Sequence, residues 1–456
     1  MSEVLYFILT IGILVFIHEF GHFAAAKLSK MRVDAFAIGF GYRLFGWNKL
    51  KGFSFGELPK DFDGLGNTDY RLCLLPLGGY VKIAGMVDES ADTSFADKPA
   101  QEWEFRSKST RKKVFVITAG VLMNLALALL IFWSTAYIQG KKYIKTTTVG
   151  YVAQNSTAAI AGFQTNDKIL TVNNKSVAAW DDVRNEIFIV TLGKDINVQV
   201  KRNGKDTTIQ IARKNIPQDD INQPFLTFAP TQTVVESVMP DMPGAAAGIQ
   251  RNDIILSIDS VKISAVAQTI EMISACKGKT LAISVLRNSK DTVNLNAAPN
   301  DSGKLGLALA NSYTGDFEAK NFTLLESIAE GTKSLVNMSS LTFVMIKRVL
   351  FNEVAFKNVF GGPIKIAQVA AKSADSGISS FILFLGYLSL NLALLNILPI
   401  PALDGGHLIM ILIERIMKRE IPIKIKIAIQ NTGMVLLLLL MAFILFNDFS
   451  SLKMFR

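Results

Sequence analysis

A chain of 456 residues exceeds what one hydrophobic core organises, so several domains are expected. Half of its residues are apolar, its formal net charge is +10, and it holds two cysteines and three histidines. The apolar share argues against an ordinary soluble protein and the two cysteines exclude a disulfide scaffold, while the basic excess sits beside long apolar runs, where topology and anionic lipid explain it and no nucleic acid need be invoked.

The first apolar run extends from Val4 to Lys27, near the ~20 residues that cross a bilayer, and segment 1–30 is read as the first span. It lacks the basic start and small-residue cleavage site of a signal peptide. Within it stands His18-Glu19-Phe20-Gly21-His22. Residues i and i+4 of a helix lie one above the other, so both imidazoles can face one metal ion, with Glu19 placed as the base that takes a proton from water. The pattern also arises by chance, but ionisable groups at membrane depth are costly and mark function. A catalytic zinc takes three protein ligands, so one must come from elsewhere.

Segment 31–112 reads as a loop. Its stretch Ala37 to Phe45, apolar with Gly39 and Gly41, is too short to cross and is expected as a re-entrant or interfacial loop. Trp47 to Asp69 is glycine-rich and without period, an insertion of no legible role. Tyr70 to Ile83 is β-prone and split by Pro76 and Gly78-Gly79, which predicts a hairpin with an exposed edge. That edge either closes a small sheet or holds an extended substrate as an added strand.

The second span, 113–139, carries Asn124, expected as an interhelical hydrogen bond. Beyond it the chain repeats itself. Ala161-Gly162-Phe163 with Asp167-Lys168-Ile169-Leu170 returns as Ala247-Gly248-Ile249 with Asp253-Ile254-Ile255-Leu256, which predicts two similar domains, 140–226 and 227–314. Each has short alternating strands and one helical stretch, Ala179 to Ile189 and Ala265 to Ala275. The repeated pattern resembles PDZ domains of the permuted bacterial type, which bind C-terminal or extended peptides; steric bulk is the alternative role. Leu305-Gly306-Leu307-Ala308 is the candidate carboxylate-binding loop. In segment 315–376, Phe322 to Leu350 has apolar residues at helical spacing, an amphipathic surface helix.

The third span, 377–413, is broken by Pro399, Pro401 and Gly405-Gly406 around Asp404. Broken helices persist in membranes where they line a cavity or pack on protein, so Asp404 is the candidate third ligand, with His407 its competitor. Asn391 and Asn396 read either as helix packing or as hydrogen-bonding groups for a substrate backbone. A basic loop, 414–426, precedes the fourth span, 427–448. Arg106, Lys108, Arg111, Lys112 and Lys113 precede the second span, and Arg415, Lys418, Arg419, Lys424 and Lys426 lie between the third and fourth. Both loops therefore read as cytoplasmic, and the repeats and both termini as extracytoplasmic. On that topology Cys73 and Cys276 lie on opposite sides of the membrane.

Taken together, His18-Glu19-Phe20-Gly21-His22, Leu403-Asp404-Gly405, Gly39-Phe40-Gly41, Gly78-Gly79-Tyr80-Val81-Lys82 and the two PDZ-like repeats resemble the site-2 protease family, of the bacterial regulator-of-sigma-E protease type. The resemblance implies an α-helical polytopic membrane protein with four transmembrane helices. Two extracytoplasmic PDZ-like α+β domains are inserted, and a cytoplasmic β-hairpin associates with the membrane. It implies one zinc ion per chain held by His18, His22 and Asp404, Glu19 as catalytic base, and Asn391, Asn396, Pro399 and Pro401 along the substrate path. It further implies a bacterial inner-membrane enzyme whose substrates are transmembrane segments already trimmed by an upstream site-1-type protease, such as anti-sigma factors or remnant signal peptides. Tyr42 and Val121 stand where the family often has proline, and the Trp47 to Asp69 insertion is long for it. A non-catalytic PDZ scaffold stapled by zinc and a metal transporter are the rival readings. The scaffold has no use for Glu19, and the transporter needs polar groups in more spans.

Overall fold

The computed structural model describes residues 2–59, 62, 64–87, 99–187, 195–212, 225–288, 290–351, 356 and 361–453. The end of the helix expected over 179–189 and part of the insertion within 47–69 lie outside them. The chain divides into two compact units, one made of Met1–Gln139 with Phe322–Arg456, the other of Gly140–Asn321.

The first unit is built on helices. In chain order these are α1 (Ser2–Leu28), α2 (Thr110–Gln139), α3 (Leu324–Leu350), α4 (Pro363–Asp375), α5 (Ile378–Asn396), α6 (Asp404–Met417) and α7 (Ile423–Lys453). Four of them, α1, α2, α5 and α7, are long and apolar enough to cross a membrane. Uninterrupted apolar sequence makes them helices, because a backbone in lipid must satisfy its own polar groups. Chain reversal ends α1: Lys30 takes a positive φ, and Met31 N–H bonds back to Ala26 O. Helices α1 and α2 meet through small residues, for a side chain on Gly21 would lie 2.5 Å from Ala119 O. Leu14, Ala128, Phe132, Ala370, Phe381 and Leu390 close the core on the α4 and α5 side.

Between α5 and α6 the chain turns through 397–403, with Ala402 at positive φ. The prolines stand in this turn, and the glycines after it permit close backbone contact: a side chain on Gly405 would strike Leu398 O and one on Gly406 would strike Ile400 O. Helix α6 therefore opens at Asp404, and Gly433 of α7 packs on the Pro401 carbonyl.

The loop after α1 folds into β1 (Val33–Asn48), β2 (Gly52–Phe55) and β3 (Asp69–Ile83). The structure departs here from the hairpin expected over Tyr70 to Ile83. The two arms of β3 flank β1 instead of pairing with each other: Ile38 faces both Leu72 and Gly79, and Ala37 faces both Arg71 and Tyr80. Strand β1 itself turns back at Gly39 and Gly41, both at positive φ, so Phe45 also faces Leu72 and, on its far side, Phe55 of β2. The stretch expected as a re-entrant loop is thus part of a strand. The outer edge of 79–83 pairs with no strand among the described residues.

The second unit carries β4 (Lys141–Ile144), β5 (Lys168–Val172), β6 (Lys175–Ser176), β7 (Ile196–Arg202) and β8 (Lys205–Ile211). It continues with β9 (Thr231–Val238), β10 (Ile254–Ile258), β11 (Val261–Lys262), β12 (Leu281–Arg287), β13 (Asp291–Ala297), β14 (Leu307–Tyr313) and β15 (Phe317–Lys320). One sheet runs β6-β5-β7-β8 and a second β13-β12-β10-β9-β14, with β11 on β10. The sequence repeat has a physical cause in both. Gly162 and Gly248, Asn166 and Asn252 all take positive φ, and Asp167 and Asp253 are buried against Arg202 and Arg287 at 2.7 and 2.8 Å. In the second repeat β14 is a seven-residue edge strand; among the described residues of the first repeat, Val149 bridges to Phe228 at the matching place. Cys73 and Cys276 are free thiols.

Candidate metal centre

Three donor atoms from two distant parts of the chain converge inside the first unit. His18 Nε2 lies 3.2 Å from His22 Nε2, and Asp404 Oδ2 lies 3.3 Å from the first and 3.4 Å from the second. Ligands at zinc's bond lengths of 2.0–2.2 Å in tetrahedral array stand about 3.3–3.6 Å apart, so the triangle has the size of one face of a zinc site. Asp404 Oδ2 is buried and accepts no hydrogen bond among the described residues, a group in want of a cation. The three residues form the metal-competent cluster of His, Cys, Asp and Glu among those described. His407 does not join it.

The rings are oriented from behind. His22 Nδ1 donates to Val116 O at 2.8 Å, which fixes the tautomer that leaves the Nε2 lone pair facing the cluster. The carboxamide of fully buried Asn124 stands 3.2 Å from His18 Nδ1. The atom placed there is Nδ2, a donor, and Oδ1 is buried without a partner among the described residues; a ligating Nε2 leaves the proton on Nδ1, and the carboxamide turned over about its last torsion sets the oxygen where it accepts that proton. Asn124 is itself held, since Ser389 Oγ of α5 donates to its backbone carbonyl at 2.8 Å. Gly120 closes the wall behind both rings: a Cβ there would strike His22 Nε2 and come within 2.7 Å of His18 Cε1.

In front of the triangle lies a cavity of about 60 Å³, lined by His18, Glu19, His22, Tyr80, Asp404 and His407 among others, with room for water. Glu19 stands beside the β3 edge, where a side chain on Gly79 would come within 3.1 Å of its Cγ. Asn396 Nδ2 is 3.3 Å from His18 Nε2. Asn391 is engaged elsewhere, its Oδ1 accepting from Thr342 of α3 at 3.0 Å. Pro399 and Pro401 shape the turn that delivers Asp404 and are not among the cavity-lining residues. Gln430 of α7 donates to His407 Nε2 at 3.0 Å and to Val87 O at 3.3 Å, tying α6 and α7 to the loop after β3. Sequence reasoning missed Gly120, Val116, Ser389 and Gln430. Only Gly120 carries a legible signal, as a small residue inside a span.

Residues 6–440 match peptidase family M50. The chain belongs to that family. It is 28% identical to the regulator of sigma-E protease RseP of Escherichia coli, over 98% of both chains. A regulator of sigma E protease from Haemophilus influenzae is 29% identical over 97% of both. A Rickettsia conorii protein provisionally described as a zinc metalloprotease is 32% identical over 99% of both. This M50 chain is thus a zinc metalloprotease, and its four apolar helices and its relatives fit an inner-membrane protein with inserted β domains.

Proposed function

We propose that the chain is a site-2-type intramembrane endopeptidase in which His18, His22 and Asp404 hold zinc and Glu19 is the general base. The observation that carries this reading is the triangle of Nε2, Nε2 and Oδ2 atoms at 3.2–3.4 Å inside apolar helices, with a carboxylate beside it. Zinc bound there supplies the Lewis acidity that activates water and polarises a peptide carbonyl. The Glu19 carboxylate takes the proton from that water and returns it to the leaving amine. Val116 O and Asn124 keep the two imidazoles in the tautomer that binds metal. The Asn396 amide, aimed at the cluster, donates to the substrate backbone. Asn391 exchanges Thr342 for substrate, and Pro399 and Pro401 border the path by which it passes.

A helix hides its peptide bonds in its own hydrogen bonds, so a transmembrane substrate must be opened before it is cut. The outer edge of 79–83, which pairs with no strand among the described residues and whose Tyr80, Val81 and Ile83 line the cavity, supports capture of the opened segment as an added strand. The names of the relatives support substrates in sigma-factor regulation: transmembrane segments of anti-sigma factors or remnant signal peptides, already trimmed by a site-1-type protease. The basic loops support a topology with the repeats on the periplasmic side and both termini extracytoplasmic. The repeats are read as PDZ domains. Edge strand β14, preceded by Gly306 at positive φ in Leu305-Gly306-Leu307, supports the second repeat as the one that takes a peptide tail.

The test is Glu19→Gln in the full chain. It is expected to retain stoichiometric zinc and lose cleavage of a membrane-spanning reporter by about 10²-fold or more. Unchanged cleavage with zinc bound would refute the assignment and favour a scaffold.

A further inference from the structure

Of the three histidines, the metal triangle leaves one over, and His407 stands in the wall of the same cavity. Among the described residues six polar side chains line that cavity: three make the triangle, Glu19 is the proposed base, and Tyr80 and His407 remain. The Tyr80 hydroxyl is drawn away, 3.4 Å from Arg71, a residue of the sheet that is not among those lining the cavity. His407 is held differently. A second cavity, also of about 60 Å³, lies beside the first; His407 and Met86 line both, whereas Gln430 lines only the second. The imidazole is therefore part of the partition between them, with its Nε2 turned to the Gln430 side.

The hydrogen bonds on that side decide where the ring carries its hydrogen. Val87 O can only accept, so the Gln430 atom 3.3 Å from it is the amide nitrogen; the opposite orientation would set two oxygens against each other. The same nitrogen lies 3.0 Å from His407 Nε2 and, being only a donor, requires a lone pair there. A neutral imidazole with its lone pair on Nε2 has its hydrogen on Nδ1. His407 makes no other hydrogen bond among the described residues, so Nδ1–H is left for what enters the cavity. Asp404 and His407, three apart on α6, share a face of that helix, which puts this donor one turn from the ligand.

Attack by water turns the scissile carbonyl oxygen into an oxyanion, and a preorganised donor aimed at that oxygen acts on the barrier more than on binding. The other side chains of the cavity wall offer none: the Nε2 atoms of His18 and His22 converge on Asp404, and Asp404 and Glu19 are carboxylates. Asn396 comes in beside His18 from α5 and is not among the lining residues. We propose that His407 is a further catalytic residue: its neutral imidazole donates Nδ1–H to the scissile carbonyl oxygen as negative charge develops there, and Gln430, fixed by Val87 O, holds the tautomer able to do so. The hydrogen stays on His407 throughout. Its Nε2 lone pair is spent on Gln430, which also accounts for an imidazole one turn from Asp404 that stays out of the triangle. This role rests on the zinc-and-base reading of His18, His22, Asp404 and Glu19.

Two amides separate it from a structural role. Asparagine at 407 sets a donor near the Nδ1 position and falls short of Gln430; glutamine reaches Gln430 and leaves the Nδ1 position empty. In the full chain, with a membrane-spanning reporter in vesicles, His407→Gln is expected to keep stoichiometric zinc and lower kcat by about 10²–10³-fold at little changed KM, the scale of one lost oxyanion donor. His407→Asn should recover kcat to within about tenfold of wild type. The reverse order, or equal losses, would mean that the bridge to Gln430 is what matters and overturns the proposal. Loss of zinc from His407→Gln would make His407 a ligand and overturns it too. A second measurement needs no turnover. With three histidines in the chain, solid-state ¹⁵N spectra of the zinc-loaded protein labelled at the imidazole nitrogens hold three rings, and the one missing from His407→Asn is that of His407. It should carry its hydrogen on Nδ1; a hydrogen on Nε2 overturns the proposal. Glu19→Gln run in parallel keeps the two readings apart: if it cleaves like wild type the zinc-and-base reading has failed, and if it is inactive while His407→Gln is not, only the role of His407 has.

Discussion

Gly120 contributes to the proposed metal centre by having no side chain. Its Cα hydrogens sit against both imidazoles, so a methyl group at this position must displace His22 from the triangle or push α2 away from α1. Gly120→Ala is expected to fold, because alanine suits a helix, and to lose zinc affinity by about 10–100-fold, the scale seen when groups behind a ligand are disturbed. Metal titration against wild type measures this, and Gly12→Ala, which meets nothing within 4 Å, is the neutral control. Equal zinc affinity in the two variants would sink the argument. The contrast shows what a sequence carries at this scale. His18, Glu19 and His22 announce themselves by helical spacing, and Asp404 by being a lone carboxylate in a broken apolar run. Gly120 and Asn124 do not, because their roles exist only once α2 has packed on α1. Asn124 looks like any polar residue in a span, and Asn391 and Asn396 look alike although one meets Thr342 and the other His18.

Among elements, the interleaved sheet of β1 and β3 depends most on one residue. Arg43 satisfies backbone carbonyls of β2 as well as Asp69, so Arg43→Met leaves several buried polar groups short of partners while Arg71 still reaches Asp69 at 2.7 Å. A loss of about 3 kcal/mol is expected, at the lower end of the cost of breaking a buried pair, confined to the loop after α1. Limited proteolysis should cut within 44–66 in the variant well before the helices, and thermal unfolding should show the loop melting first. Replacing both partners, Arg43→Met with Asp69→Leu, should recover part of the loss, since an apolar pair of similar volume often substitutes for a buried ion pair. Identical protease resistance in wild type and Arg43→Met would mean that Arg43 does not hold the loop. Of these strands only β3 was readable, from its β-prone residues; β1 read as a re-entrant or interfacial loop, β2 lay in a stretch without period, and the pairing was not legible. A hairpin over Tyr70 to Ile83 is the local solution to that stretch, and β1 displaces it by offering a partner that lies more than 30 residues earlier in the chain, a choice made by the packing of Phe36, Val81 and Ile83 on α1 and α2.

At the scale of the whole molecule, the sequence repeat and the apolar runs already separate a membrane part from an inserted part, since periodicity and composition survive without tertiary detail. The structure adds how the insertion is closed. Its first strand, β4, pairs antiparallel with its last, β15, so that Lys141 faces Lys320 and Ile144 faces Phe317. Paired residues on neighbouring strands have Cα atoms about 4.5–5.5 Å apart, so the chain leaves the second unit next to where it came in. Every residue of the metal triangle and every residue lining its cavity belongs to the first unit. A two- or three-residue glycine linker therefore spans the gap left by removing Gly140–Asn321 without pulling α2 from α3, whose own contact, Trp133 Nε1 to Ser327 Oγ at 2.9 Å, remains in place. The excised chain is expected to insert, bind one zinc and cleave a short reporter span in detergent at a rate within about tenfold of wild type, a loss of no more than ~1.4 kcal/mol in transition-state stabilisation. If the second unit restrains access rather than serving the chemistry, longer substrates with a bulky domain flanking the span should be cut faster by the excised chain than by wild type. Failure to bind zinc in a folded, membrane-inserted excised chain would show that the inserted β domains help to assemble the centre and are not separable from it.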